Sequence, residues 1–175
     1  AQAAASASAS TWSEPLVAVA PHNLRPALYY AAINGRPDEL AAALKRGARL
    51  GWTDMGKGRA ALWVAAYYGE DECLRLLLEA GASVDQPNRN GATPLWVACQ
   101  GGYAACTAML LASGARVDAP MRNGGTPLLV AVFANQPACV RQLLVAGADA
   151  RRVFNGKDAL MWARDSDFGE CTALL

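Results

Sequence analysis

The chain has 175 residues, of which 53% are hydrophobic and 18% are charged, and its 16 basic side chains nearly balance 15 acidic ones. This composition is typical of one globular domain or one short array of repeats. A net charge of +1 excludes a long-range field that would gather nucleic acid, and the sequence has no apolar run of the roughly twenty residues needed to cross a bilayer.

Residues 1–21 are predicted to form an N-terminal arm outside the folded domain. Residues 1–10 are an uncharged tract of Ala, Ser and Gln, which we expect to be disordered. Residues 11–21 contain Trp12 and an apolar run that is too short for a stable helix, so we expect an extended arm lying on the first repeat or on a partner. The Ala/Ser-rich start at Ala1 leaves two interpretations open, the trimmed edge of a transit peptide or a linker.

A seven-residue motif recurs and sets the register of the remaining chain. Residues 91–97 read Gly-Ala-Thr-Pro-Leu-Trp-Val, and residues 124–130, thirty-three positions later, read Gly-Gly-Thr-Pro-Leu-Leu-Val. Threonine caps helices and proline suits their first position, so each motif predicts the start of an inner helix whose leucine is buried. A Gly-Ala pair about nineteen residues after each leucine predicts the end of a second, outer helix.

This register divides residues 22–175 into helix–turn–helix units. The units span about 22–52, 53–86, 87–119, 120–152 and a partial 153–175. In the fourth unit Asn135 replaces a turn glycine, and asparagine also tolerates the left-handed conformation. In the fifth unit Asp158 is predicted to cap the inner helix, and Leu160 and Met161 are predicted to be buried.

The Thr-Pro-Leu motif, the glycine after the first helix, the leucine-rich second helix and the Gly-Ala ending resemble the signature of ankyrin repeats. The resemblance covers about residues 23–175 and implies an all-α ankyrin-repeat solenoid of helix–turn–helix units with β-turn or hairpin connectors. It also implies a non-catalytic protein–protein interaction module, an adaptor or scaffold, because the family mainly binds other proteins. Where the family usually has histidine, this chain has Tyr29, Trp63, Trp96, Leu129 and Met161, which predicts bulky packing in place of a hydrogen-bonded ladder.

The cysteines predict a reducing environment. Equivalent residues of stacked units lie roughly 8–10 Å apart, beyond the roughly 7 Å limit between the Cα atoms of a disulfide. We therefore expect small buried thiols in a reducing intracellular compartment, the cytoplasm, with an organelle (plastid or mitochondrion) reached after transit-peptide removal as the alternative. Four cysteines share one repeat position and the fifth lies on an inner helix: Cys73, Cys106, Cys139, Cys171 and, on the inner helix, Cys99.

The sequence offers no constellation for catalysis or for a metal. His22 is the only histidine, and no His, Cys and Asp cluster has metal-ligand spacing. Residues 56–61, Gly-Lys-Gly-Arg-Ala-Ala, superficially match a dinucleotide-binding glycine loop, but no buried strand precedes them and the repeat register places them in a connector tip. We therefore expect no enzymatic activity, no cofactor and no metal.

The resemblance implies that a protein partner docks on a concave surface formed by the connector tips and the exposed ends of the inner helices. The helix ends carry large apolar side chains and the tips carry mainly basic ones, which is the composition of a protein-binding hot spot. The candidate partner-binding residues are Ile33, Tyr67, Tyr68, Gln100 and Phe133 on the inner helices and Lys57, Arg59, Arg89, Asn90, Arg122, Asn123, Phe154 and Lys157 on the tips.

Other functions stay open at this point. The apolar arm, the Ala/Ser-rich start and the apolar Leu174 and Leu175 suit a structural or linker subunit of a larger, organellar assembly, with contacts along residues 11–21 and the C-terminal repeat. The third hypothesis is a regulatory domain of a longer enzyme, with the catalytic domain beyond Leu175. The basic tips suit an acidic peptide or an anionic lipid head group, whereas interspersed acidic residues argue against specific nucleic-acid binding.

Overall fold

Ten short helices make up the part of the chain that the computed structural model describes, residues 27–175. The predicted N-terminal arm, residues 1–21, and His22 lie outside the described residues. Within residues 27–175, no helix combines the length and the hydropathy of a membrane span. The ten helices of this range are α1 (Ala27–Ile33), α2 (Pro37–Lys45), α3 (Ala61–Tyr68), α4 (Asp71–Glu79), α5 (Pro94–Gly101), α6 (Ala104–Ala112), α7 (Pro127–Phe133), α8 (Pro137–Val145), α9 (Ala159–Asp165) and α10 (Gly169–Leu174).

The helices stack in two layers. The odd-numbered inner helices pack on one another in chain order from α1 to α9, and the even-numbered outer helices do the same from α2 to α10. Each inner helix also packs on the outer helix that follows it. Contacts thus run mainly between neighbouring units, which is the arrangement of a solenoid, and the predicted all-α repeat fold is confirmed.

The predicted helix starts are confirmed. The side-chain oxygens of Thr93 and Thr126 accept hydrogen bonds from the backbone N–H three residues on, at 3.2 and 3.3 Å, and a proline follows each threonine. Asp158 caps α9 in the same way at 2.8 Å. These caps satisfy N–H groups that have no partner inside the helix, and they fix where the inner helix of each unit begins.

The helix ends also follow the sequence. The glycines of the Gly-Ala pairs follow α2, α4, α6 and α8, and all four have positive φ, between 79° and 89°. Asn135, which replaces the glycine after α7, has a φ of 52°. Asparagine therefore fills the left-handed position that the other units give to glycine.

The core runs continuously through the stack. The first leucine of each inner helix from α1 to α7 is buried, and Leu95 and Leu128 are 0% and 1% exposed. All five cysteines are buried and free, as expected. Because neighbouring units close over these side chains, each unit depends on its neighbours for its apolar core.

The prediction that Leu160 and Met161 are buried in α9 is wrong for Met161. That side chain is 51% exposed, and Leu160 is only partly buried. Within the described chain α9 packs on one inner helix, α7, whereas α3, α5 and α7 each lie between two.

The prediction that bulky packing replaces hydrogen bonds between units is also wrong in part. Trp63 donates from its indole Nε1 to the carbonyl oxygen of Ala92 in the next unit, at 2.9 Å. Tyr29 donates from its hydroxyl to the Asp54 carboxylate in the next unit, at 3.3 Å. An indole and a phenol both carry a polar atom at the far end of a large ring, so they pack and bond at once.

Candidate partner-binding surface

Backbone hydrogen bonds tie the connector tips of units two, three and four to each other. The Arg89 N–H donates to the carbonyl oxygen of Lys57 at 2.9 Å, and the Arg122 N–H donates to that of Asn90 at 3.1 Å. Inside the third tip, the Asn88 side-chain oxygen accepts from two backbone N–H groups at 2.9 and 3.0 Å. The tips therefore form one connected row, which holds their side chains in fixed relative positions.

Gly91 allows this close approach. Its φ is +85°, and a Cβ built there would lie 2.9 Å from the backbone nitrogen of Arg122. The nitrogen belongs to the hydrogen-bonded row and cannot move away cheaply. Only glycine satisfies both the left-handed conformation and the contact.

The Asp54 carboxylate binds several groups of the connector tip of unit two. Its Oδ1 accepts from the Lys57 and Arg59 N–H groups at 3.3 and 2.6 Å, and its Oδ2 accepts from Nε and Nη2 of Arg59 at 3.0 and 2.8 Å. Burial alone would raise the pKa of Asp54, but the hydrogen bonds from Arg59 outweigh it and lower that pKa. Arg59 is thus largely engaged within the chain, with its guanidinium carbon 5.8 Å from the centre of the Trp63 ring.

These bonds also bear on the glycine loop at residues 56–61. A phosphate-binding loop needs backbone N–H groups that point at the ligand. Here the Lys57 and Arg59 N–H groups already bind the Asp54 carboxylate, and a bridge between Thr53 and Ala60 closes the segment as a hairpin tip. The sequence-based assignment of this segment to a connector tip is confirmed.

Two candidate aromatic residues are exposed but held by aromatic neighbours. Tyr67 is 43% exposed and stacks on Trp63, with ring centres 5.3 Å apart and ring planes at 10°. Phe133 is 66% exposed and meets Trp162 edge-on, with ring centres 5.7 Å apart. Such pairs hold a ring in place while one face stays open to a partner.

An apolar pocket of about 240 Å³ opens between the inner helices and tips of units three to five. Its walls are mainly aromatic and aliphatic, with Gln100 and Asn123 as amide-bearing members. The lining residues are Trp96, Gln100, Asn123, Gly125, Leu129, Val130, Phe133, Phe154 and Trp162. We call it the apolar pocket.

A second pocket, of about 370 Å³, adjoins the first one. Trp96 and Gln100 line both pockets, so the two form one groove along the tips. The second pocket includes three cationic side chains, Lys57, Arg59 and Arg89, and no carboxylate. We call it the basic pocket, and its other lining residues are Gly56, Trp63, Tyr67, Asn88, Asn90, Ala92, Trp96, Val97, Gln100 and Met121.

The structure brings most of the candidate residues together. Tyr68 lines a neighbouring hollow that it shares with Tyr67 and Gln100. Ile33 is partly buried against the core, Arg122 is exposed, and neither lines the groove. Lys157 also lies outside both pockets, where it pairs with Asp165 and lies 4.9 Å from the centre of the Trp162 ring.

Sequence reasoning missed several walls of the groove. Trp96, Val130 and Trp162 line the apolar pocket but were not candidate residues. The large side chain of Trp96 at the position where the family has histidine was an available signal. Trp162 occupies the repeat position of Val130, and only the stacking of units shows that it meets Phe133.

The indole nitrogen of Trp96 differs from its equivalent in the preceding unit. Trp63 Nε1 is bonded to Ala92, whereas the buried Trp96 Nε1 has no hydrogen-bond partner among the described residues. Residues 27–175 contain no group of three His, Cys, Asp or Glu side chains able to bind a metal ion. What the groove presents is shape, aromatic surface and positive charge.

Comparison with known families agrees with the observed repeat. A profile described as ankyrin repeats, in three copies, matches residues 28–121, and a second profile described as an ankyrin repeat matches residues 123–153. Comparison with curated proteins gives no match.

Proposed function

The chain belongs to the ankyrin repeat family, and we propose that it is a non-catalytic adaptor or scaffold whose protein partner docks on the concave surface along the groove. Ankyrin repeats are generally protein–protein interaction modules. We infer in addition that the contact lies along the groove and that the chain does not catalyse a reaction.

The observation that carries the proposal is the exposure of aromatic rings beside the groove. Phe133 and Tyr67 leave 66% and 43% of their surface open, although each ring is held by a tryptophan. Exposed rings that are already fixed lose little conformational freedom when a partner binds, so they are good anchors. The hydrogen-bonded row of tips holds the groove in the same way.

The test is affinity capture of partners from an extract of cells that express the chain. We compare the wild type, the double variant Tyr67→Ala/Phe133→Ala, and the double variant Tyr30→Ala/Val145→Ala. Tyr30 and Val145 are exposed by 59% and 86% and line neither pocket, so the last variant controls for loss of exposed apolar surface. Partners retained by the wild type and the control should be lost from the groove variant.

The size of the expected effect separates binding from folding. Loss of two anchors should weaken partner binding by about 2–4 kcal/mol. The two aromatic pairs contribute about 1–3 kcal/mol together to folding, which leaves a typical domain folded. Equal capture by all three proteins would place the partner elsewhere and contradict the proposal.

A structural subunit of a larger assembly is the second candidate. It is favoured by the apolar surface of the fifth unit, where Met161 and Val153 are 51% and 64% exposed. If this function holds, Met161→Ser should lower partner capture while Tyr67→Ala/Phe133→Ala leaves it unchanged. The five buried free thiols are compatible with our further proposal that the chain works in a reducing compartment.

A further inference from the structure

The groove joins two pockets of different chemistry. The apolar pocket is walled by rings and aliphatic side chains, and the basic pocket contains cations without any carboxylate. Trp96 and Gln100 form the shared wall. A ligand that lies along the tips therefore meets both environments in sequence.

The apolar pocket has room for one large side chain. A cavity of about 150 Å³ lined by aliphatic and aromatic groups is enough to hold benzene, and this pocket has about 240 Å³. Its walls contain no charged group. A phenyl, indole or branched aliphatic side chain fits both its size and its polarity, whereas a charged side chain would lose its hydration.

The charges of the basic pocket suit a carboxylate as its ligand. The guanidinium of Arg59 already forms an ion pair with the Asp54 carboxylate. Lys57 and Arg89 are exposed, and neither forms an ion pair with another described residue. Two such cations in a pocket without acidic groups provide the complement of a side-chain carboxylate.

The repeat sets the distance between the two pockets. The basic pocket is centred on units two and three, and the apolar pocket on units three to five, so they are offset by about one to one and a half units, or roughly 8–15 Å. An extended chain advances about 3.3 Å per residue. The two side chains of a ligand would therefore be about three to five residues apart.

We propose that the groove binds an extended segment of a protein partner that carries a large apolar side chain and, three to five residues away, an aspartate or glutamate. This inference rests on the proposed function and specifies the partner chemistry for the same surface. Two free cations beside a pocket of side-chain size favour a peptide over a membrane or a nucleic acid, both of which need a wider positive surface.

The probe is a display library of random twelve-residue peptides, selected on the purified chain. Selected peptides should share a Phe, Trp, Leu, Ile or Met with an acidic residue three to five positions away. The best peptide, labelled with fluorescein, is then titrated against each variant. Phe133→Ala and Arg89→Glu should each weaken its binding at least tenfold. The control variants are Tyr30→Ala and Lys45→Glu, at two exposed residues outside the groove, and each should leave binding within twofold.

A paired substitution in the peptide tests the charge contact directly. Changing its acidic residue to the amide should weaken binding to the wild type at least fivefold but should not weaken binding to Arg89→Glu, where the acidic residue would face a like charge. The thermal unfolding of every variant is recorded so that a loss of fold is not read as a loss of contact.

Several results would overturn the inference. They are the selection of no peptide, the selection of peptides without the paired residues, undiminished binding to both groove variants, and stronger Phe133- and Arg89-dependent binding to vesicles with 20% phosphatidylserine than to any peptide. If partner capture still depends on Tyr67 and Phe133 in those cases, the proposed function stands and only the peptide chemistry is wrong.

Discussion

The indole nitrogen of Trp63 donates a 2.9 Å hydrogen bond to the carbonyl oxygen of Ala92, and so joins the inner helix of unit two to the connector of unit three. The Trp63 ring also stacks on the Tyr67 ring, with ring centres 5.3 Å apart and nearly parallel ring planes. Trp63 therefore contacts both the next unit of the stack and Tyr67, which lines the basic pocket.

This bond predicts different effects for the same substitution in adjacent units. Trp63→Phe removes the hydrogen bond, which contributes about 0.5–1.5 kcal/mol, and leaves unfilled space at a buried site. Trp96→Phe removes an N–H that has no partner among the described residues, at a site that is only partly buried. Urea unfolding should show the larger loss of stability for Trp63→Phe, and equal losses would mean that the hydrogen bond contributes nothing.

Substitutions at two glycines should distinguish the cost of a left-handed backbone from the cost of a steric clash. Gly91 and Gly114 have φ values of +85° and +83°, but a Cβ at Gly114 meets nothing within 4 Å whereas one at Gly91 meets the Arg122 nitrogen. Gly114→Ala should therefore lower the free energy of unfolding by about 1–2 kcal/mol, the cost of a left-handed alanine. Gly91→Ala should lower it further and loosen the tips. The measurement is urea unfolding with amide hydrogen exchange at Arg122, and the idea fails if the two variants are equally stable.

The Asp54 carboxylate predicts a particular dependence of stability on acid. Its pKa in the folded chain is lowered, below the ordinary aspartate value near 3.9. Its contribution is therefore complete above that ordinary value and is lost as the pH falls through the folded pKa. Asp54→Asn should reduce stability at pH 7 and flatten its decline below about pH 4. Unfolding at a series of pH values provides the check, and a wild-type slope in the variant would assign the acid sensitivity to other groups.

Core leucines and exposed aliphatic side chains should differ strongly on truncation. Leu128 is 1% exposed between stacked units, so Leu128→Ala should lower the free energy of unfolding by about 2–5 kcal/mol. Leu95→Ala should behave alike for the same reason. Val145 is 86% exposed on α8, so Val145→Ala should change stability by less than about 0.5 kcal/mol. A small effect at Leu128 would show that the units do not share one core.

The thiols should be inert while the chain is folded. All five are buried and free. Burial raises the pKa of Cys73 to about 11, whereas hydrogen bonding to Cys99 and Thr107 lowers the pKa of Cys139 to about 7. Because the five thiols are at most 1% exposed, a thiol-specific reagent such as 5,5′-dithiobis(2-nitrobenzoic acid) cannot reach them in the folded chain. It should react slowly with the native protein at pH 8, the lowered pKa of Cys139 notwithstanding, and with all five thiols in denaturant. Rapid reaction of one thiol without denaturant would reveal local opening around it.

The sequence by itself determined the fold, because each decisive signal is local or strictly periodic. Thr93 and Thr126 cap helices within three residues of themselves, and Asn135 takes the left-handed turn that its position in the repeat demands. The burial of Leu95, Leu128 and the cysteines follows from the same register. A repeat makes each unit's environment the same as that of its neighbours, so one assignment extends to the others.

The tertiary structure alone decided how the side chains of different units meet. Trp63 and Trp96 occupy the same repeat position, yet only Trp63 reaches a carbonyl. Phe133 and Trp162 become one wall of a pocket although twenty-nine positions separate them. Periodicity determines which residues face a neighbouring unit, but side-chain size and rotamer in both units determine the contact. Met161 is exposed on α9, which packs on a single inner helix, α7, within the described stack.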